Sequence, residues 1–181
     1  MARQASKAGA ASDVRRLERA VRRQEHRRGP DHRDALAARI DLALAYLDTG
    51  RADEARQTLE TVASHDERVP LPDVKLIAAA RLNLGSTYLR MQRPGDATRE
   101  YEQAVWLSES SWGPSHQATA GARANLGQLY LQAGRRDEAI TLFERALADM
   151  GRALGDDHPN ASFIRDCLAQ ARQAPESGAP D

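Results

Sequence analysis

The sequence predicts an all-α solenoid of helical hairpins, and three observations lead there. Hydrophobic residues make up 41% of the 181-residue chain but aromatics only 4%, and much of the apolar content is alanine and leucine, which favour helix and lose little side-chain freedom in it. Residues 41–55, 83–97 and 125–139 align without gaps at an offset of 42 residues. A turn segment recurs between them with the same period. Such self-similarity marks units that stack to bury a shared core.

Residues 1–11 are read as a flexible basic N-terminus. Residues 12–28 form a helix of the second kind in a hairpin (B) without its first-kind partner (A), because Leu17, Glu18 and Ala20 stand 42 residues before Leu59, Glu60 and Val62. Val14, Leu17 and Val21 of this helix are expected to face inward. Three full units follow, 29–70, 71–112 and 113–154. They open on Gly29-Pro30-Asp31-His32, Leu71-Pro72-Asp73-Val74 and Gly113-Pro114-Ser115-His116. Glycine supplies the left-handed residue that ends a helix, proline suits the first turn of the next, and Asp or Ser can cap it. Each unit then reads as helix A, a short turn at Gly50-Arg51, Gln92-Arg93 or Gly134-Arg135, and helix B. Residues 155–173 begin on Gly155-Asp156-Asp157-His158 and end in an A-type helix, since Leu168 lies 42 after Leu126. The total is about eight helices. The tail, 174–181, rich in Pro, Gly and Ser, is expected to be disordered.

Within helix A, a Leu, a small residue and a Tyr share one face: Leu42, Ala43 and Tyr46; Leu84, Gly85 and Tyr88; Leu126, Gly127 and Tyr130. Helix B answers at i, i+4 spacing with Ala55 and Leu59, Ala97 and Tyr101, Ala139 and Phe143, a stripe that alternates space with bulk.

The series Gly127, Tyr130, Gly134, Ala139, Phe143, Ala146 resembles the tetratricopeptide-repeat signature. Gln92, Leu59 and Val62 depart from it in the first two units. The 42-residue period and the Gly-Pro-Asp-His linker resemble the kinesin-light-chain variety, and the Arg-x-Asn-Leu run resembles helical repeats of actinobacterial signalling ATPases, which implies a bacterial source. The resemblance implies a right-handed α-α superhelix whose A helices line a concave groove. It places the ligand-facing positions at Asp41, Leu44 and Asp48; at Asn83, Ser86 and Arg90; and at Asn125, Gln128 and Gln132. An asparagine amide both donates and accepts, so it can pair with an extended peptide backbone whatever its sequence. Asp41 breaks the Asn series with an acceptor-only group. Ala37, Ala79 and Gly121 stand where some relatives carry a Lys for C-terminal carboxylates, so chaperone tails are not the expected ligand.

Two further series keep the period: Arg39, Arg81, Arg123 and Arg165, and Glu18, Glu60, Glu102 and Glu144. They are read as an inter-helix ion-pair ladder, each Arg stem packing at the edge of the apolar stripe and its guanidinium reaching a B-helix carboxylate. The alternative is an Arg row offered to an anionic ligand. Trp112, in register with Leu154, is read as packing between repeats. Trp106 aligns with Ser64 and Ala148, positions that need no bulk, and is a candidate partner contact.

Lys+Arg and Asp+Glu both total 26, but residues 1–28 hold nine bases against three acids. Within them Arg15, Arg19, Arg23 and Arg27 form one edge at i, i+4 spacing, a candidate contact for an anionic partner or else a solvated cap. Interleaved aromatics for base stacking are absent, which disfavours nucleic acid. The histidines recur with the linker and make no Cys/His cluster at ligand spacing, so neither a metal site nor a cofactor is expected. Cys167 has no nearby His in sequence and is read as an inert thiol. No phosphate loop or nucleophile elbow occurs. The single cysteine, the lack of an apolar leader and the lack of any stretch of about 20 apolar residues point to the cytoplasm and away from membranes.

The functional expectation is a non-catalytic adaptor or scaffold whose groove binds a protein or peptide. The alternatives are an accessory or regulatory protein that binds a small metabolite or effector, and a weak enzyme using the groove's acids. The unmatched B and A helices at the ends also suggest a weak head-to-tail homo-oligomer.

Overall fold

The computed structural model describes residues 2–65, 73–154 and 159–173. Among them lie eight helices and no strand: α1 Ala2–Arg28, α2 Arg33–Asp48, α3 Ala52–Ala63, α4 Val74–Arg90, α5 Pro94–Trp112, α6 Gln117–Gln132, α7 Arg136–Leu154 and α8 Pro159–Gln173. Helices α2, α4, α6 and α8 are of the A kind, and α1, α3, α5 and α7 of the B kind. The chain divides into two compact units, residues 1–100 and 101–181, with the boundary inside α5.

In the first unit α2 packs against α1 and α3, and α4 packs against α3 and α2. Leu36, Ala43, Leu59, Val62, Ile77 and Leu84 are almost wholly enclosed there. In the second unit α7 packs between α6 and α8, around Ala120, Ala139, Phe143, Ala146, Met150 and Ile164. The expected stripes are therefore the core. Where a B helix carries an aromatic, the facing A helix must be bare: a Cβ placed on Gly127 would meet the Phe143 ring at 2.8 Å. At the same register in the first repeat stand Ala43 and Leu59, both fully buried, a slightly larger residue opposite a smaller one.

The hairpin turn is the same device three times. The N–H of Arg51, Arg93 and Arg135 donates to the carbonyl of Tyr46, Tyr88 and Tyr130 at 2.8, 2.9 and 2.8 Å. This bond closes a helix through a residue of positive φ. Gly50 (φ 76°) and Gly134 (φ 75°) supply it without strain, but in the second repeat Gln92 adopts φ 59° with a side chain attached.

Three expectations are corrected. Helix α1 begins at Ala2 rather than near residue 12; residues 2–11 contain no proline and several alanines, so nothing in the backbone chemistry ends the helix earlier. The N-caps of α2 and α6 are not Asp31 or Ser115 but His32 and His116, whose Nδ1 accepts from the N–H of Asp34 and Ala118, both at 3.1 Å. Where the fourth linker residue is Val74, whose side chain has no acceptor, the third, Asp73, caps the helix through Leu76 N–H at 3.2 Å. The Arg/Glu ladder is corrected below. The linker 155–158 and the tail 174–181 lie outside the described residues.

Candidate functional site

Arg and Glu do form ladders, but not with each other in the expected register. Arg39 donates to Glu25 at 2.6 and 3.1 Å and to the Pro30 carbonyl at 3.0 Å. Arg123 repeats this with Glu109 at 2.8 and 3.1 Å, and adds a bond to Asp149. Arg81 reaches Glu100 at 3.0 Å instead. The glutamates of the expected series accept tyrosine hydroxyls: Tyr46 to Glu18 at 3.0 Å, Tyr88 to Glu60 at 2.9 Å and Tyr130 to Glu102 at 2.8 Å. Arg172, which occupies the tyrosine register of α8, donates to Glu144 at 2.8 Å. The reason is antiparallel geometry. Tyr46 lies seven residues after Arg39 and Glu18 seven before Glu25, two helical turns in opposite directions, so each A-helix residue meets its own B-helix partner.

Each tyrosine is also covered by the turn arginine, Arg51, Arg93 or Arg135, at 4.3, 4.9 and 3.6 Å from the ring centre. That arginine pairs onward with Glu54, Asp96 or Glu138. Burial, and then the hydrogen bond to the glutamate, push all three hydroxyls above the ordinary tyrosine range. The buried Arg123 lies between Glu109 and Asp149. Burial raises the pKa of Asp149, but hydrogen bonds from Arg123 and Arg152 outweigh it and hold the carboxyl below its ordinary value. These groups are spent on holding repeats together, which leaves no titratable pair poised for proton transfer among them.

The A-helix faces carry the expected ligand-facing residues. In the first unit Asp41, Leu44 and Asp48 of α2 are exposed, Asn83 and Ser86 of α4 are half-buried, and Arg90 is exposed. Leu44 is one of three large apolar side chains that stand in solvent among the described residues. Arg90 does not point freely outward; it donates to the Leu47 carbonyl at 3.0 Å and so closes the C-terminal end of α2. In the second unit Asn125 and Gln128 are half-buried and Gln132 is exposed. Gln128 donates to Sγ of the buried Cys167 at 3.4 Å. The side-chain amides of Asn83 and Asn125 make no hydrogen bond among the described residues, which leaves both ends of each amide available.

Beside Asn125 lies a notch of about 110 Å³ lined by Gly121, Ala124, Asn125, Met150, Phe163 and Ile164. Sequence reasoning passed over Phe163. The signal was present, since Phe163 falls in register with Ala37, Ala79 and Gly121, where the earlier repeats are small.

The other candidates separate. Trp106 is 68% exposed. Trp112 is half-buried and stacks on His116, with centroids 5.4 Å apart. Arg15, Arg19, Arg23 and Arg27 are all exposed; Arg15 bonds the Ala11 carbonyl, and the other three have no ion-pair partner among the described residues. Among the described residues no three His, Cys, Asp or Glu side chains gather as metal ligands, and no helix is long and apolar enough to cross a membrane.

Comparison with known proteins agrees with the geometry. Tetratricopeptide-repeat family models match residues 4–71, 76–152 and 119–176. No curated protein matches the chain. Among solved structures, a variant of the nearly identical TPR-like repeats of a kinesin light chain from Podosopora anserina is 26% identical, with a TM-score of 0.76 over 95% of this chain and 82% of that one. BtubC (BKLC) from P. vanneervenii is 19% identical, with a TM-score of 0.73 over 94% of this chain and 66% of that one. MamA is 17% identical, at 0.55 over 94% and 87%.

Proposed function

We propose that this chain, which belongs to the tetratricopeptide-repeat family, is a non-catalytic adaptor that binds an extended segment of a protein on its A-helix faces. The observation that carries the reading is the pair of unengaged amides, Asn83 and Asn125, at one register position of α4 and α6. A folded partner has few free backbone groups, because its helices and sheets satisfy them; an extended peptide presents donors and acceptors that an amide can pair. Asp41 and Asp48 add negative charge to the first-unit face. Charged side chains packed between the helices, Arg39, Arg81, Arg123 and Asp149 among them, are committed to intramolecular pairs, which favours binding over chemistry.

The test is affinity capture from cell extract with the wild type beside an Asn83→Ala/Asn125→Ala double variant, read by mass spectrometry. Proteins retained by the wild type and lost from the variant support the adaptor. An identical catch moves the site to Trp106 or to the arginine edge of α1. A thermal-shift panel separates the metabolite-binding alternative, because only a ligand that binds the folded state raises the melting temperature. Stabilisation by a metabolite, with no protein captured, overturns the adaptor.

A further inference from the structure

We infer that the notch between α6, α7 and α8 is a specificity pocket that takes one uncharged aliphatic side chain, leucine, isoleucine or methionine, from an extended peptide. The inference rests on the adaptor reading and names what that site selects. Met150 and Ala124, 1% and 2% exposed, and Ile164, 2% exposed, are its buried surfaces. The ring of Phe163, half exposed, stands at the mouth. No charged side chain lines the notch, so a lysine or glutamate side chain entering it would lose its hydration with no compensating partner. An aliphatic side chain loses nothing comparable and buries apolar surface.

Size narrows the occupant further. At about 110 Å³ the notch is somewhat smaller than the roughly 150 Å³ apolar void that admits a benzene-sized molecule, which suits one aliphatic side chain. The thioether of Met150 can adjust to branched or straight chains. Asn125 lies on the lining itself, placed to pair its free amide with the peptide group next to the inserted residue. A helical ligand would have spent those groups on its own turns. Among the four A helices only α8 carries an aromatic at this register, where Ala37, Ala79 and Gly121 stand in the others. One pocket of this kind would fix the register of a peptide otherwise read through sequence-blind backbone contacts.

Gly121 gives the handle for a test. A Cβ there meets nothing within 4 Å, so Gly121→Ala is expected to fold and leave the notch open, and Gly121→Leu is expected to fold and fill it. The chain has three methionines, Met1, Met91 and Met150, and with methionine labelled at its methyl carbon the Met150 signal reports the notch directly. The full chain is titrated with Ac-Ser-Ala-Xaa-Ala-Ser-NH2 peptides up to millimolar concentration, Xaa being Leu, Ile, Met, Ala, Lys or Glu, while the side-chain amide signals of Asn83 and Asn125 are followed in parallel. The expected result is a Met150 shift with at least one of the Leu, Ile and Met peptides, at least about tenfold weaker with Ala, absent with Lys and Glu, abolished by Gly121→Leu and kept by Gly121→Ala. Peptides that move the Asn125 amide equally whatever Xaa is, and still do so in Gly121→Leu, overturn the pocket and leave the adaptor standing. Silence of Met150 towards every peptide overturns the pocket too, and the separate capture experiment then decides the adaptor. A Met150 shift on raising protein concentration alone, or on deleting residues 174–181, identifies a second copy or the chain's own C-terminus as the occupant and likewise overturns it.

Discussion

Gly127 faces the Phe143 ring with no room for a Cβ, and a single methyl group tests that fit. The 2.8 Å approach that a Cβ would make forces either the ring or the helix to move, in a core packed too densely to yield freely. Gly127→Ala is expected to destabilise the protein by about 1–3 kcal/mol in denaturant titration, despite the better helix propensity of alanine. Phe143→Leu in that background should recover part of the loss, because Ala with Leu is the pair the first repeat uses at Ala43 and Leu59. Additive losses in the double variant would show that the two residues do not oppose each other. Asp149 supplies a second residue-scale prediction. Its folded pKa lies below the ordinary 3.8 of an aspartate, so the stability it contributes is present above about pH 3.8 and is lost as the pH falls through the lower folded value. Acid unfolding of the wild type is therefore expected to steepen below pH 4, and Asp149→Asn, though less stable at neutral pH, should show a shallower acid limb.

At the scale of the helix, the three hairpin turns share one hydrogen-bond pattern but not one residue. Gln92 carries a left-handed conformation that costs an ordinary L-residue about 1–2 kcal/mol, and Gly50 and Gly134 do not bear that cost. Gln92→Gly is expected to stabilise the protein by about 1 kcal/mol, offset in part by the greater freedom of glycine in the unfolded chain. An unchanged or lower unfolding midpoint would mean that the turn relaxes away from positive φ in solution. The same scale explains the arginine that follows each turn. Its N–H closes the helix, its guanidinium covers the tyrosine ring, and its charge meets an acid in the first turn of the next helix, where the dipole also favours a carboxylate.

For the molecule as a whole, the question is what its outer faces invite. Asp13 of α1 is exposed and stands in register with Ala55, Ala97 and Ala139, each 0% exposed. An A-type helix docked on α1 as its counterparts dock on α3 and α7 would bury that carboxylate. The exposed Arg23, in register with the enclosed His65, Leu107 and Asp149, would be buried beside it. Burying both without matched partners costs more than the small apolar patch around Leu17 returns. Sedimentation velocity is therefore expected to give a coefficient independent of concentration. A concentration-dependent increase that Leu17→Lys removes would establish self-association through this face.

The period of 42, the pairing of small with bulky positions and the sites of the turns follow from the sequence alone, because each depends on contacts between residues a fixed number of turns apart, and helical geometry makes those offsets rigid. The Asn83 and Asn125 register and the exposed arginine edge of α1 were legible for the same reason. Which side chain bonds which was not. Arg39 to Glu25 and Tyr46 to Glu18 depend on how far one antiparallel helix slides along another, a shift set by side-chain packing that no repeat count reveals. The histidine caps depend on which linker residue reaches a free N–H, and the withdrawal of Arg90 to the Leu47 carbonyl depends on the spacing of α2 and α4. The notch at Phe163 needed three helices at once: Gly121 leaves space on α6, Met150 closes it from α7, and Phe163 walls it from α8. A cavity is a property of what surrounds it, and only tertiary structure assembles the surroundings.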